Sequence, residues 1–420
     1  MVTRLKRSEP RFRVSAKGIA FAIAAVLGAG AALANASVNM LHTRAPAAAL
    51  VIDANDPVAL IRDAQTRIVA GDPQVTSDAA MLSIVQRSVR RLPINGPAFR
   101  LYGLSNSTGT SLGAMRAQME VSDRMERRDL GAQLWLIENA VELNNVDRAL
   151  RHYDKALRIE ESSRALLYPV LTDALNSALI RERFVPYLAA NPGWLESFLR
   201  YAVSNSSDRV SLSQLAKANG GWPKGQAFSS LDTELLTGLI ADAEYEEAAA
   251  HFRRIEGVDA GILASLDLTD ASTNWRLAPM TWQPYKVPGI ETYVLASPQG
   301  GGAVEIEAEI EAGYTGSVAR KFMALVPGRY RITAQMRAED FSRQDVLRWG
   351  LTCAGKPGIG PVFREDVAFS EDMALDTTLT VPANCPVQAL MISADTLVTT
   401  RYVKLVLASA KIAPAGKSGT

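Results

Sequence analysis

Three histidines, two cysteines and one evenly spaced run of glutamates are the residue types from which this 420-residue chain could assemble reactive chemistry. A histidine serves as a general base or triad member only where a nucleophile or carboxylate converges on it. His42 stands in a stretch of small residues, and His152 and His251 fall on or beside the polar faces of helical patterns, so solvated surface roles are expected for them. Glu305, Glu307, Glu309 and Glu311 alternate with Val304, Ile306, Ala308 and Ile310, which sets four carboxylates on one face of one strand. Such a row could hold a metal or flank a glycosidic bond. It is also the ordinary pattern of a strand that turns one face to water. Gln299-Gly300-Gly301-Gly302 lacks the Lys and Ser/Thr of a phosphate loop and reads as a turn. Neither a Gly-x-Ser-x-Gly elbow nor a His-Glu-x-x-His pair occurs. No catalytic, metal or cofactor set is therefore assigned and a non-enzyme is expected. The alternative is an enzyme acting on glycans through carboxylates in the C-terminal strands.

Aromatic rings are the better candidates for binding. Sugar rings present apolar faces on which flat side chains stack, while guanidinium and carboxylate groups bond the hydroxyls. Trp282, Tyr285, Arg348 and Trp349 are the candidate ligand-binding residues on this ground, the competing reading being that such tryptophans fill a core. Cys353 and Cys385 are the only cysteines. In an oxidising compartment they form one disulfide in the simplest count; the alternative is two unrelated buried thiols.

The elements that must position these groups change character near residue 270. Alternation over 304–311 and 330–337 predicts half-buried strands, with further strands at 320–325, 347–353, 377–381, 387–394 and 402–409 and a turn at Pro327-Gly328. That many short strands in about 140 residues argue for an antiparallel β-sandwich of jelly-roll type. Before them the chain is helical. In 146–158, Val146, Ala149, Leu150, Tyr153, Ala156 and Leu157 recur at helical spacing opposite Asp147, Arg148, Arg151, Asp154, Lys155 and Arg158. The preceding segment 132–143 is apolar over a wider arc, and Asn144-Asn145 supplies a stop and the next cap. Further helices are predicted at 57–70, 77–91, 97–104, 163–181, 185–190 and 194–203 and in a pair over 232–255. Polar turns are placed at 105–110 and 204–208 and a longer loop at 218–230.

The 129–161 pair resembles a tetratricopeptide repeat, with Ala149, Tyr153 and Ala156 at the small, aromatic and small positions of its second helix. A shift of about 34 residues lays Ala98 on Ala132, Leu101 on Trp135 and Met115 on Ala149, and Tyr245, Ala248, Phe252 and Ile255 repeat the pattern. Ile137 and Glu161 depart from the family's Gly/Ala and Pro positions. The resemblance implies a stack of helix pairs with a protein-binding groove and no chemistry. The C-terminal strands, with Trp275 ahead of them and the segment LVPGRYRITAQMRAED, are similar to carbohydrate-binding modules. That resemblance implies a polysaccharide ligand.

Lys plus Arg total 45 against 44 for Asp plus Glu, which excludes a global basic field for nucleic acid. The charge at the start is one-sided: Arg4, Lys6, Arg7, Arg11, Arg13 and Lys17 precede an uncharged apolar run over 18–34, long enough for about 26 Å of helix. That is an inner-membrane anchor with its N-terminus in the cytoplasm, or a signal segment cleaved near Ala34-Asn35-Ala36. Either reading exports the body to a bacterial-type periplasm. The expected organisation is α+β and multidomain: a basic leader (1–17), a single transmembrane helix (18–36), a tether (37–54), a tetratricopeptide-like domain (55–266), a sandwich (271–412) and a tail (413–420). The expected role is a membrane-anchored adaptor in assembly or export of an envelope polysaccharide, with a protein partner on its helices.

Overall fold

The computed structural model describes residues 16–105, 111–396 and 402–415. It is an α+β protein whose helices precede two antiparallel sheets. The chain divides into two compact units, Met1–Arg164 and Ala165–Thr420.

The first unit is helical: α1 (Ala16–Leu41), α2 (Pro46–Ile52), α3 (Pro57–Val69), α4 (Pro73–Thr76), α5 (Asp78–Arg91), α6 (Gly96–Ser105), α7 (Leu112–Met125), α8 (Leu130–Glu142) and α9 (Val146–Ile159). The expected turn over 105–110 lies almost wholly outside the described residues. Cap chemistry sets the boundaries. Asp56 accepts from the N–H groups of Val58 and Ala59 ahead of α3, Asp129 from Ala132 ahead of α8, and Asn145 from Arg148 ahead of α9. Asn144 at φ 53° ends α8, since asparagine tolerates the left-handed region better than most residues. The expected tether at 37–54 is instead mostly helix: α1 continues to Leu41, and Pro46 opens α2 in front of three alanines. Proline is harmless in a first turn and alanine is the best helix former, so this composition favours helix over coil.

His152 is a second correction, since its side chain is buried. It lies three residues after Ala149 and four before Ala156, on the apolar stripe itself. Its Nδ1 is 2.8 Å from Gln133 Oε1, Gln133 Nε2 donates to Asp123 Oδ1 at 2.8 Å, and Lys155 Nζ meets Asp123 Oδ2 at 2.6 Å. With the Gln133 amide donating to Asp123, its oxygen faces the imidazole, so Nδ1 carries the proton. This chain laces α7, α8 and α9 together, and Arg148 to Glu120 (2.7 Å) and Arg116 to Asn139 (2.9 Å) extend it.

Among the described residues α1 is the helix long and apolar enough to cross a membrane, with a mean hydropathy of 1.4 over Ala24–Leu41. Val26, Leu27, Leu33 and Met40 are exposed along it.

The second unit begins with α10 (Ser163–Ala174), α11 (Ala178–Ala190), α12 (Leu195–Asn205), α13 (Arg209–Asn219), α14 (Leu231–Ala241), α15 (Tyr245–Phe252) and the short α16 (Asp270–Thr273). The single helix expected over 163–181 is broken at 175–177, where Arg181 Nη1 donates to the carbonyls of Leu175 (2.7 Å) and Asn176 (2.9 Å). Phe184, Trp194 and Phe198 form the aromatic centre of this helical block. α10 to α15 belong to the same unit as the sheets, which moves the expected boundary from about residue 270 to 164. Tyr245 of α15 meets Phe322 at 5.1 Å between ring centroids, and Glu246 pairs with Lys356 at 3.4 Å.

The strands are β1 (Gln283–Pro284), β2 (Lys286–Val287), β3 (Ile290–Ala296), β4 (Val304–Ile310), β5 (Thr315–Met323), β6 (Gly328–Glu339), β7 (Val346–Cys353), β8 (Phe363–Ala368), β9 (Met373–Val381), β10 (Gln388–Asp395) and β11 (Val403–Pro414). They form a five-stranded sheet ordered β1-β5-β10-β7-β8 and a six-stranded sheet ordered β2-β3-β4-β11-β6-β9. Inward residues of both sheets, including Ala319, Trp349, Leu390, Ile306, Ile332 and Leu405, make one continuous core. Cys353 and Cys385 are bonded, with 5.3 Å between Cα atoms. They join the end of β7 to the loop before β10, its neighbour in the sheet.

Burial holds the His152 pKa down at about 4. A buried base that must stay neutral contributes stability fully above its unfolded pKa of about 6.5 and loses it as pH falls toward the folded value. Thermal melts of wild type should therefore fall more between pH 7 and pH 4 than those of His152→Gln; parallel profiles would refute the assignment.

Candidate functional site

The four sequence-derived binding residues separate into two groups. Trp282 and Trp349 are both 0 % exposed. Trp349 lies between inward Leu347 and Leu351 on β7, and Trp282 Nε1 donates to Leu266 O at 3.3 Å. A ring without an open face cannot stack on a ligand, so the ligand-binding assignment of these two is corrected: both are core residues. Strand alternation put Trp349 on the same side as its apolar neighbours, a signal present in the sequence. Trp275, by contrast, is 62 % exposed, with the Arg276 guanidinium 5.2 Å from its ring centre.

Tyr285 and Arg348 remain, and the register places them on one surface. Because Ala319, Leu390, Ile392, Trp349 and Leu351 point into the core, their neighbours Arg320, Met391, Gly350 and Arg348 point out of the five-stranded sheet. Across this face Gln283, Arg320, Met391, Gly350 and Arg364 stand in one row, and Ser317, Ser393, Arg348 and Asp366 in the next. Tyr285 is half-buried at the β1 edge, its N–H on Val318 O at 2.9 Å and its ring 5.8 Å from the Arg320 guanidinium. A Cβ built on Gly350 would meet nothing closer than Met391 O at 4.0 Å, so the face is open at this position, between Met391 and Arg364. Its polar groups are held in place. Arg320 Nε donates to Gln283 Oε1 at 2.6 Å, and Arg348 forms a two-point bond with Asp366 at 2.8 and 3.0 Å. That bond holds the Asp366 carboxyl below its ordinary pKa and raises that of Arg348. α15 covers the far end of the face through Tyr245 and Phe322. A floor with an aromatic edge and one fixed bidentate pair suits a hydroxylated, ring-shaped ligand.

The glutamate row lies on the other sheet, and its first two members are paired. Glu305 is buried and accepts from Ser297 Oγ (2.9 Å) and Arg337 Nη2 (2.6 Å); the Arg337 bond holds its pKa down, so it stays ionised and cannot act as an acid near neutrality. Glu307 pairs with Lys404 at 3.0 Å. Glu309 and Glu311 border an open hollow of about 530 Å³ with Glu291, Lys286 and Tyr402. Among the described residues no group of His, Cys, Asp and Glu is arranged to hold a metal ion.

His251 is also buried, against the expectation of a solvated residue, three positions after Ala248 on the apolar stripe of α15. It sits between Asp232 and Ser213. Lys321 is fully buried: its side chain is 0 % exposed, its Nζ is 3.1 Å from Asp270 Oδ2 and 5.9 Å from the Trp282 ring centre. Burial pushes the Lys321 pKa down and the Asp270 pKa up, and their mutual attraction opposes both shifts.

No family model matches the chain, and no curated protein matches it. Solved carbohydrate-binding modules with a β-sandwich are similar to its C-terminal sandwich. TmCBM61, solved in complex with β-1,4-galactotriose, is 9 % identical over 32 % of this chain and 88 % of its own, with a TM-score of 0.24. The C-terminal family 22 module of Clostridium thermocellum Xyn10B is 13 % identical over 36 % of this chain and 94 % of its own, at 0.25. BtGH115A, a 4-O-methyl-α-glucuronidase, is 12 % identical over 76 % of this chain and 44 % of its own, at 0.20.

Removing one member of a buried ion pair leaves the other uncompensated and typically costs about 3–5 kcal/mol. Lys321→Ala and Asp270→Ala should each lower the melting temperature of the sandwich strongly, and Lys321→Met with Asp270→Leu together should cost less than the two single losses summed. Additive losses in that cycle would show that the two side chains do not interact.

Proposed function

We propose that this protein is a non-enzymatic glycan-binding adaptor, with the outer face of the five-stranded sheet as its glycan platform. The observation that carries the reading is the open strip over Gly350, bounded by Tyr285 and Arg320 at one edge and by the Arg348–Asp366 pair and Arg364 at the other. A sugar ring can lie on the strip and against the tyrosine, and the preformed Arg348–Asp366 pair bonds hydroxyls with little further ordering cost. The enzyme alternative finds less support, because Glu305 and Glu307 are neutralised by Arg337 and Lys404.

The helical first unit is the protein-binding part of this reading. Its tetratricopeptide-like pairing is supported by the caps and buried small residues of α8 and α9, and by an open apolar hollow of about 320 Å³ among Leu82, Val85, Val89, Phe99 and Tyr102 on α5 and α6. The exposed apolar side chains of α1 support an anchor in the inner membrane, with the body in the periplasm and an envelope polysaccharide as the ligand.

Two measurements test this. Titrated in detergent micelles against a panel of soluble polysaccharides, the full chain should bind at least one. Tyr285→Ala and Arg348→Ala should each weaken that binding about tenfold, as expected for one good polar or stacking contact, with the melting temperature nearly unchanged. Trp349→Ala should instead cost about 3–5 kcal/mol of stability. A wild-type chain that binds none of the panel, or Tyr285→Ala binding as well as wild type, would end the platform reading. Separately, alkaline phosphatase joined after residue 54 should be active in a bacterial host and remain with membranes after a high-salt wash. An inactive fusion would reverse the topology, and release by salt would remove the anchor.

A further inference from the structure

The helical part of the second unit has an open cavity of about 630 Å³ between the end of α13, the loop after it, the start of α14 and the end of α15. That volume lies within the range of small-molecule sites. Gly220, Gly221 and Gly225 adopt φ of +76°, +116° and +135°, backbone that residues with a Cβ rarely adopt, and they turn the loop so that Trp222 and Lys224 line the cavity. Lys217, Asp232, His251, Arg254 and Glu256 are on the polar wall.

These groups are braced from behind. His251 Nε2 is 2.8 Å from Asp232 Oδ1 and its Nδ1 is 3.2 Å from Ser213 Oγ. The Ser213 hydroxyl also bonds Glu247 at 2.6 Å and Arg254 Nη2 at 2.7 Å. A Ser–His–Asp chain invites comparison with a hydrolase triad, but Ser213 is 0 % exposed and engaged by three partners, so it is a strut and not a nucleophile. The strut fixes Asp232, whose side chain stays 31 % exposed, and Arg254. Two donors at the wall, Trp222 Nε1 and Arg254 Nε, are covered from solvent and have no acceptor among the described residues. Covered in this way, neither donor opens onto the cavity, and the polar groups a ligand can meet are the exposed ones, Lys217, Lys224 and Asp232. Lys217 forms no ion pair among the described residues, whereas Lys224 is 3.1 Å from Glu256, which also lines the cavity.

We propose that this cavity binds one anionic sugar residue of the hexuronate class. The ring lies on Trp222, the carboxylate meets Lys217 and shares Lys224 with Glu256, and Asp232 accepts from ring hydroxyls. The carboxylate of Asp232 on the same wall disfavours a phosphate dianion, which has no hydroxyl donors to offer it, and favours a ligand carrying both charge and hydroxyls. This site is separate from the sheet face and does not depend on it.

Isothermal titration of the full chain in detergent micelles with sodium glucuronate, glucose and inorganic phosphate tests the proposal. Glucuronate should bind and the other two should bind at least tenfold more weakly, as expected when one charge-assisted or stacking contact is missing. Trp222→Ala and the Lys217→Ala/Lys224→Ala pair should each lose about tenfold in affinity with an unchanged melting temperature. If Trp222→Ala melts early, Trp222→Phe keeps a ring and should retain binding. No heat with glucuronate, equal binding of glucose, or equal binding of phosphate would each overturn the hexuronate assignment, as would full affinity in the double-lysine variant.

Discussion

The Lys321–Asp270 pair is the contact on which the second unit's arrangement depends. Placing an ammonium group inside a sandwich carries a desolvation penalty that only a partner at bonding distance can offset. Asp270 provides it at 3.1 Å, and Trp282 lays its ring against the same ammonium. Asp270 is on α16 and Trp282 stands just ahead of β1, so both belong to the segment that leads from the helices into the sheet. The segment is fixed at other points too: Ala324 N–H donates to Leu263 O at 2.8 Å, and Phe322 N–H to Pro279 O at 2.7 Å. Residues 263–282 therefore run along β5 and occupy backbone groups that would otherwise form a bare sheet edge. A mispaired register would strand a lysine in the core, which gives this polar contact a specifying role beyond any stabilisation.

The same economy of charge shapes the surfaces. On the five-stranded sheet Arg348 is fixed by Asp366, and Arg320 by Gln283. On the six-stranded sheet Arg337 and Lys404 neutralise Glu305 and Glu307. The two outcomes differ because of what lies between the pairs. Gly350 leaves a gap between the side chains on one sheet, whereas Glu305 and Glu307 of β4 are paired with basic residues from β6 and β11.

Both buried histidines act as polar connectors between helices. His152 extends a hydrogen-bonded chain through Gln133 to Asp123 and Lys155 across three helices of the first unit. His251 ties α15 to α13 and α14 through Ser213 and Asp232. Each occupies an inward helical position normally given to an apolar residue, and each is satisfied there by a hydrogen-bonding partner. Their burial was legible from the spacing to Ala149 and Ala248, since residues three and four apart share a helix face.

What the sequence determined by itself was local. Helical periodicity, the caps at Asp56, Asp129 and Asn145, the stop at Asn144, and strand alternation over 304–310 and 330–337 depend on neighbours within a turn or a pleat, and they stand in the structure nearly where the residues place them. Period-two alternation also assigned sides, so Arg348 outward and Trp349 inward were readable before any fold was known. Tertiary structure decided what no local pattern encodes. The core received Trp282 while Trp275 was left in solvent, because burial of a residue flanking a strand depends on which distant segment covers it. Pairing of β5 with β10, across about 70 residues, put Tyr285, Gly350 and Arg348 on one face. Helices 165–252 joined the sandwich's unit through contacts such as Tyr245 on Phe322, which periodicity cannot foresee. The cavity at Trp222 likewise exists only because three left-handed glycines fold a loop over the ends of helices that are separated in sequence.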